Sequence, residues 1–566
     1  MNMSTLESVK AHTYALIDRL KAICTESGLG NSGNEYKIIT QAFLYKFLND
    51  KFFHYMKQLP GLSATIGEEA LQSTAALEEA LTRLPADTYE FLLAGLPAGV
   101  ARFHPSQYIS ALYKEKGQPE FHKKLDETLM ALAENNKEVF SVRAGEGNRV
   151  NLFEPITGFV LQTERKDDFA AALIEELVSK SFENLFEKKY DFYADIFEHL
   201  IGDYNKDSGK YAEYYTPHSI AKIIARIMAP KGDQNVTIYD PAAGSGTLVL
   251  TLADQIGEEN SAVYTQDISQ KSNEILRLNL VLNNLVKSLP NAIQDDTLVT
   301  PRHLDKSGKA LKKFDYIVSN PPFNTDFSST RDTLAGDAYK KRFFAGVPNI
   351  PNKKKESMAI YQMFLQHIIV SMKEGTGKAA IVVPTGFLTA ATGIGFKIRQ
   401  HIMEANNGES ILRGVVSMPS NIFANTGTNV SVLFLDQKGP QDGLITLIDA
   451  SNLGTKVKLE GTKNQRTYLS KEEMNRIVEV MNYGLEQEDF SVLVDAEEIK
   501  KKKCSFSAGQ YFKVKIEYVD LSPEEFAEKI KGYQEKLDEL FAEGQRLEKE
   551  IKEGLEELSY EKMQAR

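Results

Sequence analysis

Through the first two hundred positions apolar side chains recur at three- and four-residue steps, most clearly over 36–59 and 168–201, with polar loops at 28–35 and 143–149 between helical stretches. That period predicts an all-helical N-terminal region. After Asn205 the pattern changes to short β-branched and aromatic runs at 236–240, 262–267, 291–295, 314–320, 379–384, 412–418 and 429–436, separated by helical stretches. Continuous apolar strands divided by helices predict a mainly parallel sheet covered on both faces, the doubly wound α/β class. Ligands of such sheets bind at the carboxyl ends of the strands. A third pattern closes the chain. Ser522, Pro523, Glu524 and Glu525 form a capping box with proline at the first helical position. From Phe526 apolar positions then step through Ile530, Tyr533, Leu537 and Leu540, and resume at Leu547, Ile551 and Leu558, with Gly544 and Gly554 in the same seam. This heptad-like stripe packs either on its own chain or on a partner's helix, and its narrowness between fully charged flanks favours the partner. The divisions expected are 1–165 helical, 166–455 α/β, 456–521 mixed and 522–566 charged helix.

Composition narrows the class. The chain has 566 residues, 42% hydrophobic and 26% charged, which suits a globular protein of several domains. Its two cysteines, Cys24 and Cys504, stand far apart without a CxxC pair, so neither a disulfide framework nor a cysteine zinc site is expected. Charges interrupt the first twenty positions, unlike a secretory signal, and the longest uncharged stretch, Ala379 to Phe396, is broken by Pro384, Gly386, Gly393 and Gly395. A cytoplasmic location is the expectation. The net charge of −11 weighs against a protein that grips nucleic acid unaided.

Candidate chemistry collects at predicted strand ends. Asp240-Pro-Ala-Ala-Gly244-Ser245-Gly246-Thr247 lies where a strand meets a helix, with glycines for a tight turn and a helix N-terminus for an anionic group. Asp267 ends the next strand, where a carboxylate can accept ribose hydroxyls. NAD and S-adenosylmethionine both fit this arrangement, as does a purely structural turn. Val249 in place of a third glycine, and the lack of a GK[ST] ending, favour S-adenosylmethionine. Asn320-Pro321-Pro322-Phe323 follows another strand. Two prolines make a rigid loop whose carbonyls stay available. The Asn320 oxygen and the Pro321 carbonyl can accept both hydrogens of an exocyclic amine, and Phe323 offers a face for a base taken out of its duplex. Asp295 and Asp296 end the strand between; Asp296 is the choice for the cofactor's adenine amine, a helix cap being the alternative. Upstream, Glu213-Tyr214-Tyr215-Thr216-Pro217-His218 precedes a helix, with Thr216 as expected N-cap and Pro217 at the first helical position.

On these four motifs the chain resembles amino-methylating DNA methyltransferases that place the cofactor loop before the NPPF loop, and most closely the modification subunit of a type I restriction–modification system. The similarity is strong over about 165 to 455. It implies a Rossmann-like S-adenosylmethionine-dependent domain, with Glu213 to His218 and Ser245, Gly246 and Thr247 as cofactor contacts and Asp267 on the ribose. It further implies transfer to N6 of adenine in double-stranded DNA, two such chains per separate specificity subunit, and a restriction/translocase subunit in the full complex. Ala243 stands where many relatives have cysteine, and Asn324 where glycine is common. Only 456–566 follows the catalytic region, too little for a large sequence reader, so site choice is expected to belong to the partner. Neither a metal nor a nucleophilic cysteine is required. A stand-alone adenine-N6 or cytosine-N4 enzyme, a cofactor-binding scaffold without catalysis and a nicotinamide-dependent dehydrogenase remain open as rivals.

The charge balance then changes meaning. Residues 523–566 hold 13 acidic and 8 basic side chains, which is −5 of the −11. Conversely, Arg331, Lys340, Lys341, Arg342, Lys353, Lys354 and Lys355 outnumber Asp332, Asp337 and Glu356 just after the NPPF loop. They are DNA-phosphate candidates, with a solvated loop as the alternative.

Overall fold

The computed structural model describes residues 3–30, 33–97, 99–137, 142–143, 149–150, 153–182, 186, 216–229, 233–406, 408–423, 429–458, 465–512 and 522–557. Two compact units result, Met1–Phe512 and Lys513–Arg566.

The first unit opens with α1 (Met3–Glu26) and α2 (Gly33–Lys57), followed later by α3 (Phe121–Asn135) and α4 (Lys166–Val178). Helix α2 buries Ile38, Ile39, Phe43, Tyr45, Phe47, Phe52 and Met56 on several sides, as a helix inside a bundle must. The expected helix over 168–201 stops at Val178, where the chain turns so that the Phe182 N–H reaches Asp50 Oδ2 at 2.8 Å; most of 183–201 lies outside the described residues. Phe169, Ala170, Leu173, Ile174 and Leu177 of α4 are buried, and the helix packs on α1 and α3, inside the helical bundle. The anticipated division at 165/166 therefore falls within one unit, whose buried core runs without a break from α1 into the sheet.

The sheet has nine strands: β1 (Val236–Asp240), β2 (Ser261–Asp267), β3 (Ala292–Gln294), β4 (Tyr316–Ser319), β5 (Lys378–Pro384), β6 (Leu412–Ser417), β7 (Val430–Asp436), β8 (Leu444–Asp449) and β9 (Ser491–Asp495). Their spatial order is β9-β8-β6-β7-β5-β4-β1-β2-β3. Pairing is parallel except that β7 runs antiparallel between β5 and β6, and β9 antiparallel beside β8. The seven predicted strands form, 236–240 with the expected ends and the others with ends shifted by one or two residues, while β8, β9 and an antiparallel pair of 455–458 with 465–468 were not expected. Every residue of β4 and β7 is buried, which is why their sequences are mostly apolar, with Ser319, Ser431 and Asp436 the polar exceptions. Strands β1 to β3 progress to one side of β1 and β4 lies on the other, so the strand order reverses between β1 and β4. That reversal opens a crevice at the carboxyl ends of these two strands.

Among the other helices, α5 (His218–Met228) precedes β1, α6 (Thr247–Ile256) follows it, α7 (Gln270–Leu282) follows β2, α8 (Tyr361–Ser371) precedes β5, and α9 (Pro523–Glu557) belongs to the second unit. In α9 the predicted capping box forms, with Glu525 N–H on Ser522 Oγ at 3.2 Å and Ser522 N–H on Glu525 Oε2 at 2.9 Å. Phe526, Ile530, Tyr533, Leu537, Leu540, Leu547 and Ile551 are exposed along it; Leu558 lies outside the described residues. Among the described residues no helix is long and apolar enough to cross a membrane, and no acidic, histidine or cysteine cluster could hold a metal ion.

Candidate active site

β1 ends in Asp240 and β4 in Ser319, and the reversal point sets these residues side by side. Asp240 Oδ1 accepts the Ser319 hydroxyl at 2.8 Å and the Ala242 N–H at 2.9 Å. Only 2% of Asp240 is exposed, so its carboxylate ties the glycine loop to the strand carrying Asn320 from beneath both. Burial pushes its pKa up to about 7, against the opposing pull of the two hydrogen bonds.

Above this tie the glycine loop closes on β2. Gly244 N–H donates to Asp267 Oδ2 at 2.8 Å and Ser269 N–H to Oδ1 at 2.8 Å, fixing the carboxylate at the strand end; burial raises its pKa. Gly246 adopts φ +85°, a backbone that strains any other residue, and a Cβ there would lie 2.3 Å from Leu276 Cδ1 of α7, which would have to shift. Ser245 and Thr247 are buried with hydroxyls 3.0 Å apart, and Asn279 of α7 holds the Ser245 carbonyl at 2.9 Å. α6 begins at Thr247, so its first-turn N–H groups and dipole face the crevice.

The target loop is oriented from a distance. Asn320 Nδ2 donates one of its two hydrogens to Thr216 Oγ1 at 3.2 Å, which fixes which end of the amide faces Thr216 and turns its oxygen the other way. No described group donates to Asn320 Oδ1 or to the Pro321 carbonyl. The Phe323 ring rests against Tyr361, with centroids 6.3 Å apart at 77°, and Tyr361 in turn against Phe387 at 6.1 Å and 88°. Thr216 was expected as the N-cap of α5. Instead Pro217 caps the helix, its carbonyl accepting the Ile220 and Ala221 N–H groups, and the threonine hydroxyl is left for Asn320. His218 starts the helix; Glu213, Tyr214 and Tyr215 lie outside the described residues.

Of the acidic pair, Asp295 is taken up by Arg302 Nε at 2.6 Å and by the Asp296 N–H. Asp296 Oδ1 accepts the Leu298 and Val299 N–H groups at 2.8 and 3.2 Å, so it does cap a turn, but Oδ2 accepts from no described residue. That turn returns to the crevice, because Thr297 Oγ1 donates to the Pro241 carbonyl at 2.7 Å. A free carboxylate oxygen beside the glycine loop suits an amine donor. Together with Asp267 and the tight turn at Gly246, these donors and acceptors fit an adenosyl ligand.

The basic segment divides. Lys340, Lys341, Lys353, Lys354 and Lys355 are exposed, Lys340 paired with Asp337 at 2.5 Å. Arg331 bridges its own loop, from Asp332 at 2.9 Å to the Pro348 carbonyl at 3.2 Å. Arg342 is not a phosphate contact. It is 8% exposed, and its guanidinium bonds His367 Nδ1 and the carbonyls of Thr297 and Leu298. Ile268, which follows Asp267 at the carboxyl end of β2, is 69% exposed and was not among the expected site residues. An apolar residue directly after a strand-ending acid was the available signal.

The N-6 DNA Methylase family model matches residues 188–518. The methylase subunit of type I restriction enzyme MpnII from Mycoplasma pneumoniae is 26% identical over 496 residues, covering 83% of this chain and 85% of that protein. The MjaIX methylase subunit from Methanocaldococcus jannaschii is 27% identical over 403 residues, covering 68% and 67%. Among solved structures, the methyltransferase subunit of the type I restriction-modification system from Streptococcus thermophilus superposes with a TM-score of 0.67 at 20% identity, covering 89% of this chain and 99% of that one. That likeness extends the fold match through the helical N-terminal region.

Proposed function

The chain belongs to the N-6 DNA methylase family, and on that footing we propose that it transfers a methyl group from S-adenosylmethionine to N6 of adenine in double-stranded DNA, as the modification subunit of a type I restriction–modification complex. The observation that carries this reading is the orientation of Asn320, whose amide nitrogen is held by Thr216 so that its oxygen and the Pro321 carbonyl form a rigid acceptor pair. S-adenosylmethionine supplies a methyl group made electrophilic by its sulfonium.

The chain's own residues do the positioning. Asp267 accepts the ribose hydroxyls, Asp296 Oδ2 the adenine amine, Ile268 packs on the adenine, and the first turn of α6 with Ser245, Gly246 and Thr247 receives the anionic end. Glu213 to His218 are the further cofactor contacts that the resemblance implies. Phe323, propped on Tyr361, stacks the extruded target adenine. Asn320 and Pro321 accept the two N6 hydrogens, which turns the nitrogen lone pair toward the methyl carbon; the new N–C bond replaces the carbon–sulfur bond, S-adenosylhomocysteine is the leaving group, and the surplus N6 proton passes to solvent. Rate enhancement comes from fixed geometry and from acceptors aimed where positive charge grows on N6.

Partners follow from two surfaces. The exposed lysines 340, 341 and 353–355 track DNA phosphates, and the apolar stripe of α9 docks on helices of a specificity subunit that holds two copies of this chain, with a restriction/translocase subunit completing the complex. The test is transfer of a labelled methyl group to duplex DNA in the presence of a specificity subunit, followed by nucleoside analysis. N6-methyladenine is the expected product, and Asn320→Ala is expected to abolish transfer while cofactor affinity stays within about twofold, since truncation removes an interaction made with the target. Methylcytosine, or a variant with the normal rate, would overturn the reading.

A further inference from the structure

The segment Tyr339–Arg342 lies forty residues from the Asp296 turn in the chain, yet it binds three successive carbonyls of that turn. Arg342 Nη2 donates to the Thr297 carbonyl at 2.6 Å, Arg342 Nη1 to the Leu298 carbonyl at 2.9 Å, and the Tyr339 hydroxyl to the Val299 carbonyl at 3.1 Å. The same turn uses its 298 and 299 N–H groups to hold Asp296 Oδ1, and Thr297 Oγ1 to hold Pro241. With both its carbonyl and N–H sides engaged, the turn has one available conformation, and Oδ2 of Asp296 has one direction.

Arg342 is itself fixed. Its Nε donates to His367 Nδ1 at 3.0 Å, and burial of His367 together with the adjacent guanidinium keeps that ring neutral. With Nδ1 accepting, the ring proton sits on Nε2, which donates to the Tyr239 hydroxyl oxygen at 3.1 Å on the strand that ends in Asp240. Leu298 and Phe343 are buried in one apolar cluster with the partly buried Tyr339 and Val299 packed against it, and both Arg342 bonds to the turn are buried. An isolated turn after a strand leaves its carbonyls to solvent, so a fork from a distant loop on three of them in a row needs a reason beyond closing the chain.

We propose that Arg342 and Tyr339 are positioning residues for the cofactor's adenine, acting through Asp296 and setting its discrimination for the 6-amino group. This rests on the reading that Asp296 Oδ2 accepts that amine. Neither residue touches the ligand.

The experiment measures dissociation constants of the full chain for S-adenosylhomocysteine and S-inosylhomocysteine by titration calorimetry. The inosine compound places a carbonyl oxygen against the carboxylate, so the wild type is expected to favour the adenosine compound by about tenfold to a hundredfold, the worth of a hydrogen bond to a charged group. Arg342→Gln lowers that preference to about threefold or less, and Tyr339→Phe, which removes one hydroxyl and keeps the packed ring, gives an intermediate value. A general loss of structure would weaken both ligands alike and leave the ratio intact. A wild-type ratio in both variants, with Asp296→Asn collapsing it, overturns the proposal alone. A wild-type ratio in Asp296→Asn overturns the assignment of Asp296, and the proposal falls with it.

Discussion

Asp240→Asn isolates the buried tie between the two loops. The carboxyl titrates at 3.8 in an unfolded chain and at about 7 in the folded one, raised by burial. The folded state therefore holds this proton more tightly than the unfolded state. Its contribution to stability is fully present below about pH 4 and is lost as pH rises through about pH 7. At about 1.4 kcal/mol for each tenfold, the whole loss is about 4 kcal/mol, of which about 3 falls between pH 5 and pH 8. Asparagine keeps the shape and its oxygen can still accept the Ser319 hydroxyl and the Ala242 N–H, but it never ionises. The variant should therefore gain on the wild type by about 3 kcal/mol between about pH 5 and pH 8. Buried His303, pushed down to about 4, and His367, also lowered by burial, act with the opposite sign, losing stability as pH falls, but both proteins share them and they cancel in the difference. Urea unfolding followed by far-ultraviolet circular dichroism is the suitable assay, because the chain has no tryptophan. Parallel pH profiles for the two proteins would refute the reasoning.

Gly246→Ala places a Cβ 2.3 Å from Leu276 Cδ1 at φ +85°. The left-handed backbone alone costs about 1 to 2 kcal/mol, so both the melting temperature and cofactor affinity should fall, and a variant with unchanged cofactor binding would remove the loop from the pocket. Replacing Lys353, Lys354 and Lys355 with glutamine should flatten the dependence of log DNA affinity on log salt by up to about three, near 0.9 for each phosphate contact. An unchanged slope would take this segment out of the interface.

Much of the fold was legible because buried strands leave a direct trace. The run at 379–384 is continuously apolar, and those at 236–240 and 314–320 are dominated by β-branched and aromatic residues, as strands covered on both faces are. β9 gave a weaker trace: it sits at the sheet edge, where only part of its side chains is buried. The helix expected over 168–201 breaks after Val178, although the apolar period continues in sequence, because the backbone there turns so that Phe182 meets Asp50, a partner 132 residues away. The site was legible in its residue types and less so in their roles. Thr216 looked like a local cap, since caps are read from neighbours in sequence, and its hydroxyl instead holds Asn320 from 104 residues away. Arg342 looked like its lysine neighbours because composition counts charge and not burial.

The sequence by itself determined the strand–loop–helix units and the acceptors each one carries, because a glycine loop after β1 or an Asn-Pro-Pro after β4 is a local arrangement fixed by backbone sterics. It also determined the charged helix with its capping box, whose bonds join residues three apart. The tertiary structure decided which of those groups remain free to act. Reversal of strand order set Asp240 beside Ser319, packing turned one oxygen of Asn320 and one of Asp296 outward, and burial withdrew Arg342 from any phosphate. Hydrogen-bond capacity is finite, and which donor meets which acceptor across a hundred residues is settled only when the chain has packed.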